Sequence, residues 1–213
     1  MRRRAAILIS GRGSNMGSLL AATRDPGYPA ETVLVLSNRA DAGGLAHAAA
    51  AGVRSAVVEH RRFGADRGAH EAAIDAVLRD AGVELVCLAG YMRRLTPFLV
   101  QRWDGRMLNI HPSLLPAFPG MNTHARALAA GVTLHGCTVH LVTEAVDDGP
   151  ILAQAAVPVL PGDDELALAA RVLAQEHVIY PLALHMLATG TAGAAPPATA
   201  ALRNPLPGPG DGP

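Results

Sequence analysis

Asn109 and His111 stand two residues apart in Met107-Leu108-Asn109-Ile110-His111-Pro112, and together they carry the plainest chemistry in the chain. Side chains alternate along a strand, so the two would share one face while Ile110 turns into the core. Pro112 has no N–H for a ladder and ends the strand. An imidazole moves protons near neutral pH, and a carboxamide N–H steadies a developing oxyanion. The plain alternative is a hydrogen-bonded turn at a strand end. A second constellation is Ser10-Gly11-Arg12-Gly13-Ser14-Asn15, where an apolar strand runs into a glycine-rich turn and a helix from Met16 to about Thr23. Backbone N–H groups converging on a helix N-terminus suit a phosphate, and Ser14 and Asn15 add side-chain donors. A dinucleotide fingerprint would need glycine where Met16 stands, and the rival reading is a structural turn with Asn15 as helix cap. The acidic stretch Glu144 to Asp148 supplies Asp147 or Asp148 as a carboxylate for His111, or else only turn residues.

The elements that must position these groups follow from hydrophobic patterning. Apolar runs at 5–10, 32–38, 55–59, 83–90 and 107–111 read as strands. Helical spacing at 43–51 and 66–81, with glycines 52 and 82 beyond, places helices between them. Near-continuous apolar strands alternating with helices specify an α/β fold, a mostly parallel, doubly wound sheet covered on both faces. Ligands in such sheets bind beyond the carboxyl ends of the strands, where the turn at Gly11, the loop 90–95 and the segment after Asn109 all lie. A long loop with Pro116, Pro119 and Gly120 leads to a helix over 123–130. Runs 136–143 and 151–159 form an antiparallel hairpin extending the sheet, and 163–185 reads as a long helix with Pro181 near its end. On it Glu176 and His177 read by default as solvated or capping residues, and Arg67 as a surface charge unless an anion lies near. Residues 1–188 form one domain, and the Ala/Gly/Pro-rich 189–213 reads as a disordered tail.

Composition removes several classes. At 213 residues, half of them apolar, the chain has one sizeable core, and its net charge of zero offers nucleic acid no basic excess. It contains no lysine, which excludes Walker-type phosphate binding and Schiff-base chemistry. No run is apolar enough to span a membrane, and Cys87 and Cys137 read as buried reduced thiols of a soluble, cytoplasmic protein. No metal is expected, because His140 would face away from His135 and Cys137 in a strand.

Taken together, Ser10–Asn15, Ala89-Gly90-Tyr91-Met92-Arg93, Asn109 to Pro116, Val146-Asp147-Asp148-Gly149-Pro150 and Gln175-Glu176-His177 closely resemble the phosphoribosylglycinamide formyltransferases over about residues 5–188. The resemblance implies formyl transfer from 10-formyltetrahydrofolate to the amine of glycinamide ribonucleotide in purine synthesis, by a monomer or homodimer. It implies Asn109, His111 and Asp147 as the catalytic residues, with Asp147 stabilising the imidazolium. Gly13, Ser14, Asn15 and Glu176 would bind the ribonucleotide. Arg67, Met92, Arg93, Arg94 and Leu95 would meet the folate, its pteridine near Asn109 and the backbone of Glu144, Val146 and Asp147. Two positions depart from the pattern: Asp148 stands where a second glycine is common, leaving open which aspartate faces His111, and Asn122 replaces an expected histidine. Methionyl-tRNA formyltransferase and formyltetrahydrofolate hydrolase share the Asn, His and Asp set, but would be expected to carry a further basic domain behind or a regulatory domain in front. An inactive folate- or nucleotide-binding protein is the non-enzyme rival, and the intact set reads against it.

Overall fold

The computed structural model describes residues 1–191; the rest of the expected disordered tail, 192–213, lies outside the described residues. Strands β1 (Arg3–Ile9), β2 (Ala30–Ser37), β3 (Ser55–Val57), β4 (Leu85–Leu88) and β5 (Met107–His111) pair in parallel. The hairpin β6 (Leu134–Leu141) and β7 (Ile151–Pro158) adds two antiparallel strands, giving the order β3-β2-β1-β4-β5-β6-β7. Helices α1 (Ser14–Arg24), α2 (Gly44–Ala50), α3 (Arg67–Asp80), α4 (Pro97–Arg102), α5 (Thr123–Ala130) and α6 (Glu165–Thr189) complete the fold.

Alternation sorts the core into two layers. Ile7, Ile9, Leu108, Ile110 and Val139 pack with Met16 and Leu19 of α1 and Val172, Tyr180 and Leu184 of α6. Ala6, Leu8, Leu36 and Val86 face Ile74 and Leu78 of α3 and Leu99 and Trp103 around α4. The chain winds from β1 out to β3 and then returns to β4 on the other side of β1. A crevice therefore opens at the carboxyl ends of β1 and β4, and Ser10 N–H donates to Gly90 O across it at 3.1 Å.

Local signals account for most boundaries. Asp66 caps α3 by accepting from Ala69 N–H, and Asp164 caps α6 by accepting from Ala167 N–H. Two expectations need correction. The third strand stops at Val57, and a 3-10 helix (His60–Phe63) follows it, because β3 is a short edge strand paired only with β2. Pro181 lies inside α6, which continues to Thr189. Its ring forfeits one helical N–H, but tertiary contacts carry the helix across: the Tyr28 hydroxyl donates to Pro181 O, and Tyr180 Oη shares its proton between Leu88 O (3.0 Å) and Leu108 O (3.3 Å). Among the described residues no helix is long and apolar enough to cross a membrane, and both cysteines are buried and free.

Candidate active site

The antiparallel pairing of β5 with β6 assembles the reacting groups. The register sets Asn109 opposite His140 and His111 opposite Thr138, with all four side chains on the face away from Ile110 and Val139. Because β6 runs antiparallel, its link to β7 starts beside the amino end of β5, where Val142 N–H donates to Met107 O at 2.9 Å. The link then folds back over that face instead of standing over the strand ends. Gly149 lets it lie close, since a Cβ there would sit 1.7 Å from Leu141 O. Asp147 takes a left-handed backbone (φ 56°) and brings Oδ2 to 3.4 Å from His111 Nδ1. The same oxygen accepts Gly120 N–H at 2.8 Å, tying the loop after β5 to the loop after β6. The adjacent Asp148 is exposed, so Asp147 is the carboxylate that meets His111.

His111 is 6 % exposed, and its Nε2 lies 3.1 Å from Phe118 O. The imidazole thus donates through Nε2 to a backbone carbonyl and turns Nδ1 toward the Asp147 carboxylate. His140 differs. Its Nδ1–H donates to Leu141 O at 2.9 Å, and burial pushes its pKa below the ordinary histidine value, keeping it neutral. Nε2 then has only a lone pair to offer, and at 3.2 Å it accepts from Asn109 Nδ2. That bond fixes which end of the Asn109 carboxamide is nitrogen and leaves its second N–H free to donate.

The glycine-rich turn forms a second group. Gly13 caps α1 in the left-handed region (φ 72°), and a Cβ there would press on Met16 at 3.2–3.3 Å. The first N–H groups of α1 point out of the turn without helical partners, and no acidic residue occupies the first helical turn. Ser14 is exposed. Asn15 is not the cap: it is the second residue of α1, 8 % exposed, and its Nδ2 donates to Glu176 Oε2 at 2.7 Å. Glu176, read by default as solvated, is 6 % exposed because α6 packs across α1, and burial raises its pKa against a smaller lowering by Asn15.

A family profile for formyl transferases matches residues 3–184. The chain belongs to the formyl transferase family. The phosphoribosylglycinamide formyltransferase of Haemophilus influenzae is 43% identical over 88% of each chain. The human trifunctional purine biosynthetic protein adenosine-3 is 49% identical over 88% of this chain, which spans only 18% of that longer protein. The crystal structure of phosphoribosylglycinamide formyltransferase from Brucella melitensis matches with a TM-score of 0.84 at 57% identity, covering 89% of this chain and 97% of the other.

The remaining candidate residues lie on α3 and on the links that follow β4, β5 and β6. Arg67 is the exposed first residue of α3, which runs back from the strand ends, and no hydrogen bond or ion pair joins it to Asn109, His111 or Asp147 among the described residues. Met92 and Arg94 are exposed and Arg93 partly so, while Leu95 packs on the second core layer. Glu144 accepts from Gln101 Nε2 at 2.7 Å, and Val146 is exposed. Asn122, in place of a histidine, precedes α5 with a left-handed backbone and makes no side-chain cap. A cleft of about 440 Å³ lies over the ends of β1, β2 and β4, lined by Ser10, Asn38, His60 and Arg93 among others. It excludes Asn109, His111 and Asp147, which are marked by their mutual geometry instead. Among the described residues no His, Cys, Asp or Glu cluster could hold a metal ion. The residue that sequence reasoning missed is His140; the available signal was that Thr138 and His140 alternate against Cys137 and Val139, giving the hairpin its own polar face.

Proposed function

We propose that this formyl transferase moves the formyl group of 10-formyltetrahydrofolate to the amine of glycinamide ribonucleotide, a step of purine synthesis, acting in the cytoplasm as a monomer or homodimer. The observation that carries the reading is the meeting of Asp147 and His111 at 3.4 Å beside an Asn109 amide oriented by His140. The relatives named phosphoribosylglycinamide formyltransferase support the same substrates. One strand separates β1 from β5, so the strand that leads into the Gly13 turn and the strand that carries His111 run about 10 Å apart in the sheet, a spacing that supports one ribonucleotide bridging the two.

In the reaction the substrate amine attacks the formyl carbon, giving a tetrahedral adduct with negative charge on oxygen. The free N–H of Asn109 donates to that oxygen. His111 Nε2–H, directed at Phe118 O in this structure, becomes the second donor when the loop around Phe118 yields to substrate. Asp147 holds the imidazolium and, directly or through water, helps take the proton the amine must lose. The carbon–nitrogen bond to the folate then breaks, and the folate nitrogen takes up a proton as tetrahydrofolate leaves. Gly13, Ser14 and Asn15 hold the phosphate, Glu176 binds the ribonucleotide, and Arg67, the 92–95 loop, Glu144 and Val146 receive the folate. Assays offering glycinamide ribonucleotide, water or charged tRNA as formyl acceptor test this. Turnover confined to water would mark a hydrolase, turnover confined to charged tRNA would mark the tRNA enzyme, and none with any acceptor would mark a binding protein.

A further inference from the structure

The 91–95 loop is held at both ends by buried side chains from elsewhere in the chain. At its start Ser10 Oγ accepts Met92 N–H at 2.8 Å and donates to Asn38 Oδ1 at 2.6 Å. Ser10 is 7 % exposed and Asn38 2 %. At its end Glu71, 3 % exposed on α3, takes Thr96 N–H on one carboxylate oxygen at 2.8 Å and the Thr96 hydroxyl on the other. Glu71 forms no ion pair among the described residues, unlike Asp75 one turn on, which meets Arg79 and Arg102. Buried polar groups are costly unless hydrogen-bonded, and these are committed to the loop's boundaries. Between the two anchors Met92 is 62 % exposed, and Arg93 and Arg94 have no carboxylate partner among the described residues. Met92 and Arg94 face outward, Leu95 packs inward, and the two ends of the loop are fixed.

We infer that Ser10, backed by Asn38, and Glu71 are positioning residues that hold the Met92–Leu95 loop in the shape that receives the formyl-folate. This rests on the folate reading of that loop. Ser10 also leads into the Gly11–Asn15 turn, so the test must separate the two substrates.

Steady-state kinetics of the full chain, varying each substrate in turn, supply it. Ser10→Ala raises KM for formyl-folate roughly fivefold, the worth of one net hydrogen bond, with kcat and the ribonucleotide KM within about twofold of wild type. Ser10→Thr, which keeps the hydroxyl, recovers most of the loss, and Glu71→Gln moves the same KM in the same direction. Both KM values rising together, kcat falling alone, or an unmoved folate KM would overturn the inference. If Ser10→Ala does not fold, Glu71→Gln decides it by the same ratio. Calorimetric titration of tetrahydrofolate keeps the two readings apart: a wild-type chain that binds the folate, with binding weakened in Ser10→Ala, yet formylates no ribonucleotide, loses the function but keeps the loop assignment.

Discussion

Asn109 Nδ2 and His140 Nε2 lie 3.2 Å apart across the β5–β6 pair, and with Nδ1–H donating to Leu141 O the Nε2 of the neutral imidazole can only accept. Removing the amide deletes an oxyanion donor, so Asn109→Ala should lose on the order of 100-fold or more in kcat. His140→Ala leaves the amide present but free to rotate, and a smaller loss of roughly tenfold is expected, concentrated in kcat. Steady-state rates of the two variants and their double mutant check this. Independent, multiplicative losses would show that His140 does not act through Asn109.

The two neighbouring aspartates should behave oppositely. Asp147→Asn keeps the shape but removes the charge facing His111, and turnover should fall on the order of 100-fold, as in His111→Ala. Asp148→Gly alters an exposed side chain and should stay within roughly twofold. Equal damage from both would mean that the loop carries either carboxylate to the site.

Stability should fall on acidification through His135 on β6, which packs against the loop after β5. His135 is 1 % exposed between Phe118 and His124, with ring centroids 5.8 and 5.2 Å away, and burial pushes its pKa down to about 4. The unfolded chain binds this proton below about pH 6.5, whereas the folded one resists until about pH 4, so ν_U exceeds ν_N and stability drops as pH falls through that window. His124 and His140, also lowered, act in the same sense; Glu176, raised by burial, opposes them. Urea midpoints at about pH 7.5 and about pH 5 should differ less for His135→Phe than for wild type. An unchanged difference would remove His135 as a source.

Gly149→Ala tests the fold of the β6–β7 link. A Cβ 1.7 Å from Leu141 O forces the link off the sheet, so Asp147 should leave His111 and activity should fall toward that of Asp147→Asn. Circular dichroism should still report the seven-stranded fold. Wild-type turnover would show that the link shifts without moving Asp147.

Much of this was legible beforehand, for physical reasons. Strand–helix alternation and α5 with its stated bounds are local signals, and so is the shared face of Asn109 and His111. What escaped depends on contacts remote in sequence. Neither the cap, one of two readings of Asn15, nor the default solvated reading of Glu176 holds, because their bond joins the first helix to the last. The last helix is expected to end near 185, soon after Pro181, since nothing nearby in the chain reveals Tyr28 and Tyr180 bracing α6. The choice between Asp147 and Asp148 needed the backbone sign at Asp147, and a role for His140 needed the interstrand register.

The Asp147 carboxylate hangs from the β6–β7 pair at one edge of the sheet, whereas the Gly11–Asn15 turn and the 91–95 loop, proposed to hold phosphate and folate, belong to the inner parallel strands. Loosening the rim of the sheet would therefore disarm the molecule before dismantling its grip on nucleotide. In rising urea, catalysis should die at a lower dose than protection of the chain by bound ribonucleotide, leaving a species that still clutches its substrate and can do nothing with it.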